Sequence, residues 1–236
     1  MAFAVFSGAV VSGFAGFAFS AVAGAILLHV LPPTEAVPFM MICSLGLQLV
    51  AMVSLREHMQ WRRAGALIGG GLLGLIPGLW LLQRVDANAF RVGFGVFLTA
   101  YAAYMLVRPA WGALREAPAR LRDFAIGFAG GVVGGLTAMP GAVPTIWCDL
   151  RAVPKSEQRG LLQPYIAAMQ IAALAMLVAR HGIPQTLLGD LRPALVPLVA
   201  GTAVGLALFG KVNERGFRRA VLCALLVSGL GFFAYR

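Results

Sequence analysis

The sequence predicts an all-α integral membrane protein of two inverted repeats, each a Gly-rich broken helix or re-entrant hairpin followed by three transmembrane helices. Three observations lead there. Of 236 residues, 60% are hydrophobic and 12% charged, with a mean hydropathy of +0.84, whereas soluble domains carry about a quarter charged residues. Several apolar segments approach the ~20 residues needed to cross a ~30 Å hydrocarbon core. The two halves also echo one another, and arginine and lysine are placed as an inverted pair requires.

Along the chain, a Gly-rich apolar stretch (2–31) comes first. Ordinary spans follow at Val37–Leu55, Ala64–Gln83 and Val92–Val107. The charged, proline-containing connector Arg108–Arg120, "RPAWGALREAPAR", reads as a linker. A second Gly-rich stretch, Phe124–Trp147, precedes spans at Leu161–Ala179, Leu191–Gly210 and Phe217–Tyr235. The expected domains are therefore a first repeat over 1–107, a cytoplasmic linker over 108–120 and a second, inverted repeat over 121–236. "MAFAVFSGAV" has no basic n-region, so no cleavable signal peptide is expected.

Three echoes support the repeat: "GFAG" at 13–16 and 127–130, Gln48 with Gln170, and "VDANAFR" (85–91) with "VNERGFR" (212–218). Charge then decides the orientation, because cytoplasmic loops hold the excess of Lys and Arg. If both Gly-rich stretches were single crossings, the 19 basic residues would split ten against nine. If each contributes an even number of crossings, only Arg84, Arg91, Arg180, Arg192 and Arg236 remain on one side, five against fourteen. The second arrangement inverts the second half and puts both termini outside. Residues 2–31 are too few for two full crossings at about 1.5 Å per residue, so a hairpin of half-helices is expected.

"GGVVGGLTAMPGAVP" (130–144) has five glycines, two prolines and no charge. Broken backbone at membrane depth is tolerated where protein buries it or where it lines a cavity. Inverted-repeat transporters aim half-helix N-termini at substrate in such places, and exposed N–H groups there bind anions without a charged side chain. Glycines would supply positive φ where the helix stops. The competing reading is close helix packing, since Gly127/Gly131, Gly130/Gly134 and Gly131/Gly135 have small-xxx-small spacing. Pro140 and Pro144 favour a break.

These residues resemble the TauE/SafE sulfite-exporter family, also called the toluene sulfonate uptake permease family. "SGFAGFAFSAVAGAILLHVLPPTEAVP" (12–38) is similar to its first repeat motif, and "GFAGGVVGGLTAMPGAVPTIWCDLRAVPKSEQRG" (127–160) to its second. Ala18 and Ser20 stand where many members have glycine, and the first copy lacks the usual proline after its small-residue run. The resemblance implies transport of small sulfur-containing anions such as sulfite, thiosulfate or organosulfonates. It also implies a location in the bacterial inner membrane.

The candidate substrate-binding residues are Gly16, Ser20, Gln48, Gly134, Gly135, Thr137, Pro140 and Gln170. The glutamine amides offer both donors and an acceptor, or else bond between helices. Ser20 and Thr137 hydroxyls either donate to a ligand or back-bond one turn earlier. Arg151, Lys155 and Arg159 could draw an anion to the cytoplasmic mouth, with Arg151 and Arg159 chosen; headgroup anchoring and pairing with Asp149 and Glu157 is the alternative. Arg91 and Arg218 occupy matching positions, and His29 is either a proton relay or interfacial.

Cys43, Cys148 and Cys223 have no paired spacing and read as buried thiols. No catalytic or metal motif appears, so neither enzyme activity nor a cofactor is expected. A membrane packing or assembly subunit remains the reading from another class. Partners expected are a small anion and the lipid bilayer, with a homodimer allowed for and no nucleic acid. The net charge of +10 fits headgroup anchoring.

Overall fold

In the computed structural model, the described residues are 1–15, 18–54, 59–107, 120–151, 153–181, 185–208 and 214–234. They form helices α1 (Ala2–Ala15), α2 (Phe19–Leu27), α3 (Pro33–Ser54), α4 (Trp61–Arg84) and α5 (Ala87–Val107). A medium, a short and three long helices recur in α6 (Arg120–Thr137), α7 (Ala142–Leu150), α8 (Lys155–His181), α9 (Gln185–Leu208) and α10 (Glu214–Ala234). Among the described residues, five helices are long and apolar enough to cross a membrane, those containing Pro33–Val50, Trp61–Arg84, Ala87–Val107, Glu157–Arg180 and Leu191–Leu208. The chain is thus a multi-pass, all-α membrane protein. Most of the connector, 108–119, lies outside the described residues.

Local chemistry sets the helix ends. Asp86, which looks in the sequence like a connection residue, is the N-cap of α5: its Oδ1 accepts the N–H of Asn88 and Ala89, both at 2.9 Å. Pro33 opens α3, where its missing N–H costs nothing, and Glu35 follows in the first turn. Prolines 38, 77, 164, 193 and 197 stay inside helices.

Both Gly-rich stretches are broken. Among the described residues, the non-glycine residues in the left-handed region are Ala18 (φ 76°), at the start of α2, and Ala138 (φ 59°), just after α6. The expectation that glycine would supply positive φ is corrected at these two positions. The nearby glycines serve close approach instead, which a Cβ would forbid. The "GFAG" echo is corrected too. Gly13 lies in the last turn of α1, whereas Gly127–Gly130 is mid-α6. Helix for helix, α1 and α6 end at 15 and 137, and α3 and α8 begin at 33 and 155. Gln48 and Gln170 are separated by the same offset as these two pairs of helix ends.

The compact units do not follow the halves of the chain. Unit 1 is Met1–Cys43, Val85–Pro109 and Ile183–Arg236; unit 2 is Ser44–Arg84 and Ala110–Gly182.

In unit 2, α4 packs on α6 through two facing glycine stripes. A Cβ on Gly70, Gly74 or Gly78 would strike the backbone carbonyls of Phe124, Phe128 or Val132; one on Gly127 or Gly131 would strike those of Leu67 or Gly71. Gly135 continues the stripe, its Cβ position lying 3.0 Å from Leu79 N and 3.1 Å from Leu75 O. Dispersion and backbone proximity hold such pairs where lipid supplies no hydrophobic drive.

In unit 1, α1 packs on α9 in the same manner: a Cβ on Gly13 would lie 2.9 Å from Thr202 O, and one on Gly201 2.5 Å from Phe6 O. The α5–α10 pair closes at Gly95, where a Cβ would meet Phe232 Cβ at 2.7 Å. Phe232 stacks on His29 (4.4 Å between centroids) and meets Phe94 edge-on at 6.0 Å.

Candidate anion site

The second broken stretch builds a hairpin. Gly134 O accepts the Ala138 N–H at 2.9 Å, ending α6. The chain reverses over 138–141, and α7 returns along α6. Gly134 leaves room for Pro140, whose Cβ lies 2.5 Å from the position a Gly134 Cβ would take. Gly130 does the same for Pro140 O (2.8 Å) and Pro144 Cδ (2.9 Å). On the remaining side, Tyr165 on α8 donates its hydroxyl to Gly127 O at 2.8 Å. The glycines of α6 therefore serve two faces: 127, 131 and 135 admit α4, whereas 130 and 134 admit the returning α7.

The N-terminus of α7 has no side-chain cap. Ala142 N–H donates to Met139 O (3.2 Å) and Thr145 N–H to Gly141 O (2.9 Å). Pro144 has no N–H. Among the described residues, the N–H groups of Gly141 and Val143 have no partner. Such a terminus concentrates partial positive charge.

α8 packs beside this terminus. The Ile166 side chain reaches 2.7 Å from where a Gly141 Cβ would lie, and Gln170 is one helical turn further along the same face. Gln170 is 1% exposed and donates Nε2–H to Ser44 Oγ at 2.8 Å. Gln48, 4% exposed, is one turn beyond Ser44 on α3. The side-chain carbonyls of Gln48 and Gln170 are both buried without a hydrogen-bond partner. Ser44 was missed in the sequence; its spacing of four from Gln48 was the available signal. Among the described buried polar residues, Asp123 alone is charged, so the Gln48–Ser44–Gln170 turn is polar but uncharged.

The remaining candidates distribute as follows. Thr137 donates its hydroxyl to Val133 O at 2.7 Å, the back-bond alternative. Gly135 lies against α4. Ser20 is buried in the first turn of α2, which also lacks a side-chain cap, and belongs to unit 1. Gly16 lies outside the described residues, as do the side chains of Lys155 and Arg218. Arg91 donates Nε–H to Leu28 O at 2.7 Å, capping the C-terminus of α2.

Arg151 and Arg159 stand at one end of unit 2, where the starts of α4, α6 and α8 gather with the end of α7. There Gln60 N–H donates to Gly160 O (3.1 Å), and Arg63 pairs with Glu157 at 3.7 Å. Arg151 lies 5.7 Å over the Trp147 ring. Arg63, Asp123, Asp149 and Arg151 are all near enough to act electrostatically on Cys148. The hairpin α6–α7 accordingly begins and ends at the same end of its unit.

The chain matches the family model described as Sulfite exporter TauE/SafE over residues 1–232. No curated protein and no solved structure matches it.

Proposed function

This chain belongs to the sulfite exporter TauE/SafE family, and from that premise we propose that it exports a small sulfur-containing anion, such as sulfite or an organosulfonate, from the bacterial cytoplasm. The observation behind this reading is the uncapped N-terminus of α7 packed on Ile166 of α8, one helical turn from the buried, uncharged Gln170 that bonds Ser44. The Gly141 and Val143 N–H groups bind the anion, and Pro140 with Gly134 holds the reversal that presents them. Unit 1 carries its own version at Ser20. Because no full cation is used, the anion is held weakly enough to leave, as transport requires.

Arg151 and Arg159 line the cytoplasmic mouth. Their side of unit 2 also holds Arg62, Arg63, Arg120 and Arg122, which supports a cytoplasmic orientation for that end by the excess of basic residues. It also supports the inverted repeat with both termini outside, because a hairpin that returns to its starting side contributes no net crossing. An inside-negative potential of 100 mV then favours exit of a monoanion by about 2.3 kcal/mol.

The test is efflux from sealed proteoliposomes loaded with sulfite, ethanesulfonate or chloride. Sulfur anions should leave faster than chloride in a protein-dependent way, and Gln170→Leu should slow them more than it slows chloride. No protein-dependent flux of any anion would overturn the proposal.

A further inference from the structure

The anion site is chemically two-sided, and this bears on which anions fit. At the start of α7 the open groups are donors, the N–H of Gly141 and Val143. One helical turn along α8 from Ile166, which packs on Gly141, Gln170 carries an open acceptor, and Gln48, one turn on α3 from Gln170's partner Ser44, carries another; both residues are at least 96% buried. The Nε2–H of Gln170 is already engaged by Ser44 Oγ at 2.8 Å, which orients that amide with its oxygen outward from the pair. A buried carbonyl without a donor is costly, and an approaching anion that brings only oxygens worsens it by repulsion. An anion that also brings an O–H or N–H satisfies both sides.

We propose that the site selects oxyanions carrying their own hydrogen-bond donor over oxyanions of the same size and charge that have none. This rests on the anion-carrier reading above. The donor has two chemical sources, an acidic proton on the oxyanion itself or a hydroxyl on its organic substituent. A site built around a hydrogen bond to a substrate hydroxyl rejects the analogue lacking it far better than an apolar pocket rejects an extra methylene.

Two matched pairs separate the sources in proteoliposomes of the full chain. Isethionate and ethanesulfonate are permanent monoanions that differ by one hydroxyl. Hydrogensulfite and chlorate are three-oxygen monoanions, of which only the first holds a proton. The donor-bearing member should move at least about tenfold faster in one pair or both, a difference of about 1.4 kcal/mol. A preference confined to one pair supports the proposal and identifies the source. Equal flux within both pairs, with flux present, overturns it while leaving the carrier reading intact. No flux of any of the four overturns both.

Gln48→Leu and Gln170→Leu should each lower flux of the preferred anion more than that of its partner, bringing the ratio towards one. Ratios unchanged in both variants would also overturn the proposal. Should neither variant fold, the wild-type ratios decide alone.

Discussion

Replacing Gly74 with alanine tests the glycine contact between α4 and α6, and the structure fixes the sign of the effect. The new Cβ would land on the Phe128 carbonyl oxygen, with Phe128 C at 2.9 Å and Val132 N at 3.0 Å. Ordinary carbon contacts begin near 3.5 Å, and backbone atoms cannot rotate aside. The helices must therefore part, and the cost is the overpacking range of about 1–3 kcal/mol. Gly93 on α5 and Gly46 on α3 are the controls, since a Cβ on either meets nothing within 4 Å. There alanine gains helix propensity, about 0.5–1 kcal/mol relative to glycine.

The same chemical change is thus expected to destabilise at 74 and to be neutral or stabilising at 93 and 46. Unfolding in mixed micelles by increasing SDS, followed by circular dichroism, reads the difference. A Gly74→Ala/Gly131→Ala double variant should lose less than the sum of the single losses, because one separation relieves both clashes. A Gly74→Ala variant that unfolds at the wild-type midpoint, or costs no more than Gly93→Ala, would refute the clash.

Other expectations follow from single contacts. Ala138→Gly should stabilise by up to about 1 kcal/mol, since φ 59° strains any residue with a Cβ; Ala138→Val should lower the folded yield sharply. Arg91→Gln removes the charged donor to Leu28 O, and faster hydrogen exchange at 28–31 should report a loosened end of α2, with partial recovery in Arg91→Lys. Tyr165→Phe should cost about 1 kcal/mol in the same SDS titration, the usual net worth of one hydrogen bond. Glu157→Gln should cost less than about 1 kcal/mol, because the Arg63 pair is long and half-exposed.

The ordinary spans are legible from hydropathy because a lipid-crossing helix has to be apolar for most of its length. Their starts are less legible. Helix α8 begins at Lys155 where the apolar run begins at Leu161, and α5 at Ala87 where it begins at Val92. Capped first turns are polar and hydropathy passes over them. The break after α6 is foreshadowed by Pro140 and Pro144, but its left-handed residue is an alanine that no composition rule selects. Gln48 and Gln170 are visible as isolated amides in apolar helices. That Ser44 bonds Gln170 depends on which face of α3 meets α8, information that lies in the packing. The glycines of 127–135 allow both packing and binding as a string. Only the partner helix separates those that admit α4 from those that admit α7.

The composition of the two compact units has a bearing on how the protein is made. Helix α4 is synthesised in the first half of the chain, but the groove it fills belongs to α6, in the second; α1 likewise waits for α9. Until translation passes the connector, the faces of α1 and α4 that meet α9 and α6 are without those partners. A chain cut within 108–119 should therefore yield two fragments that are degraded when expressed singly and accumulate together when co-expressed, since each supplies the surface the other lacks.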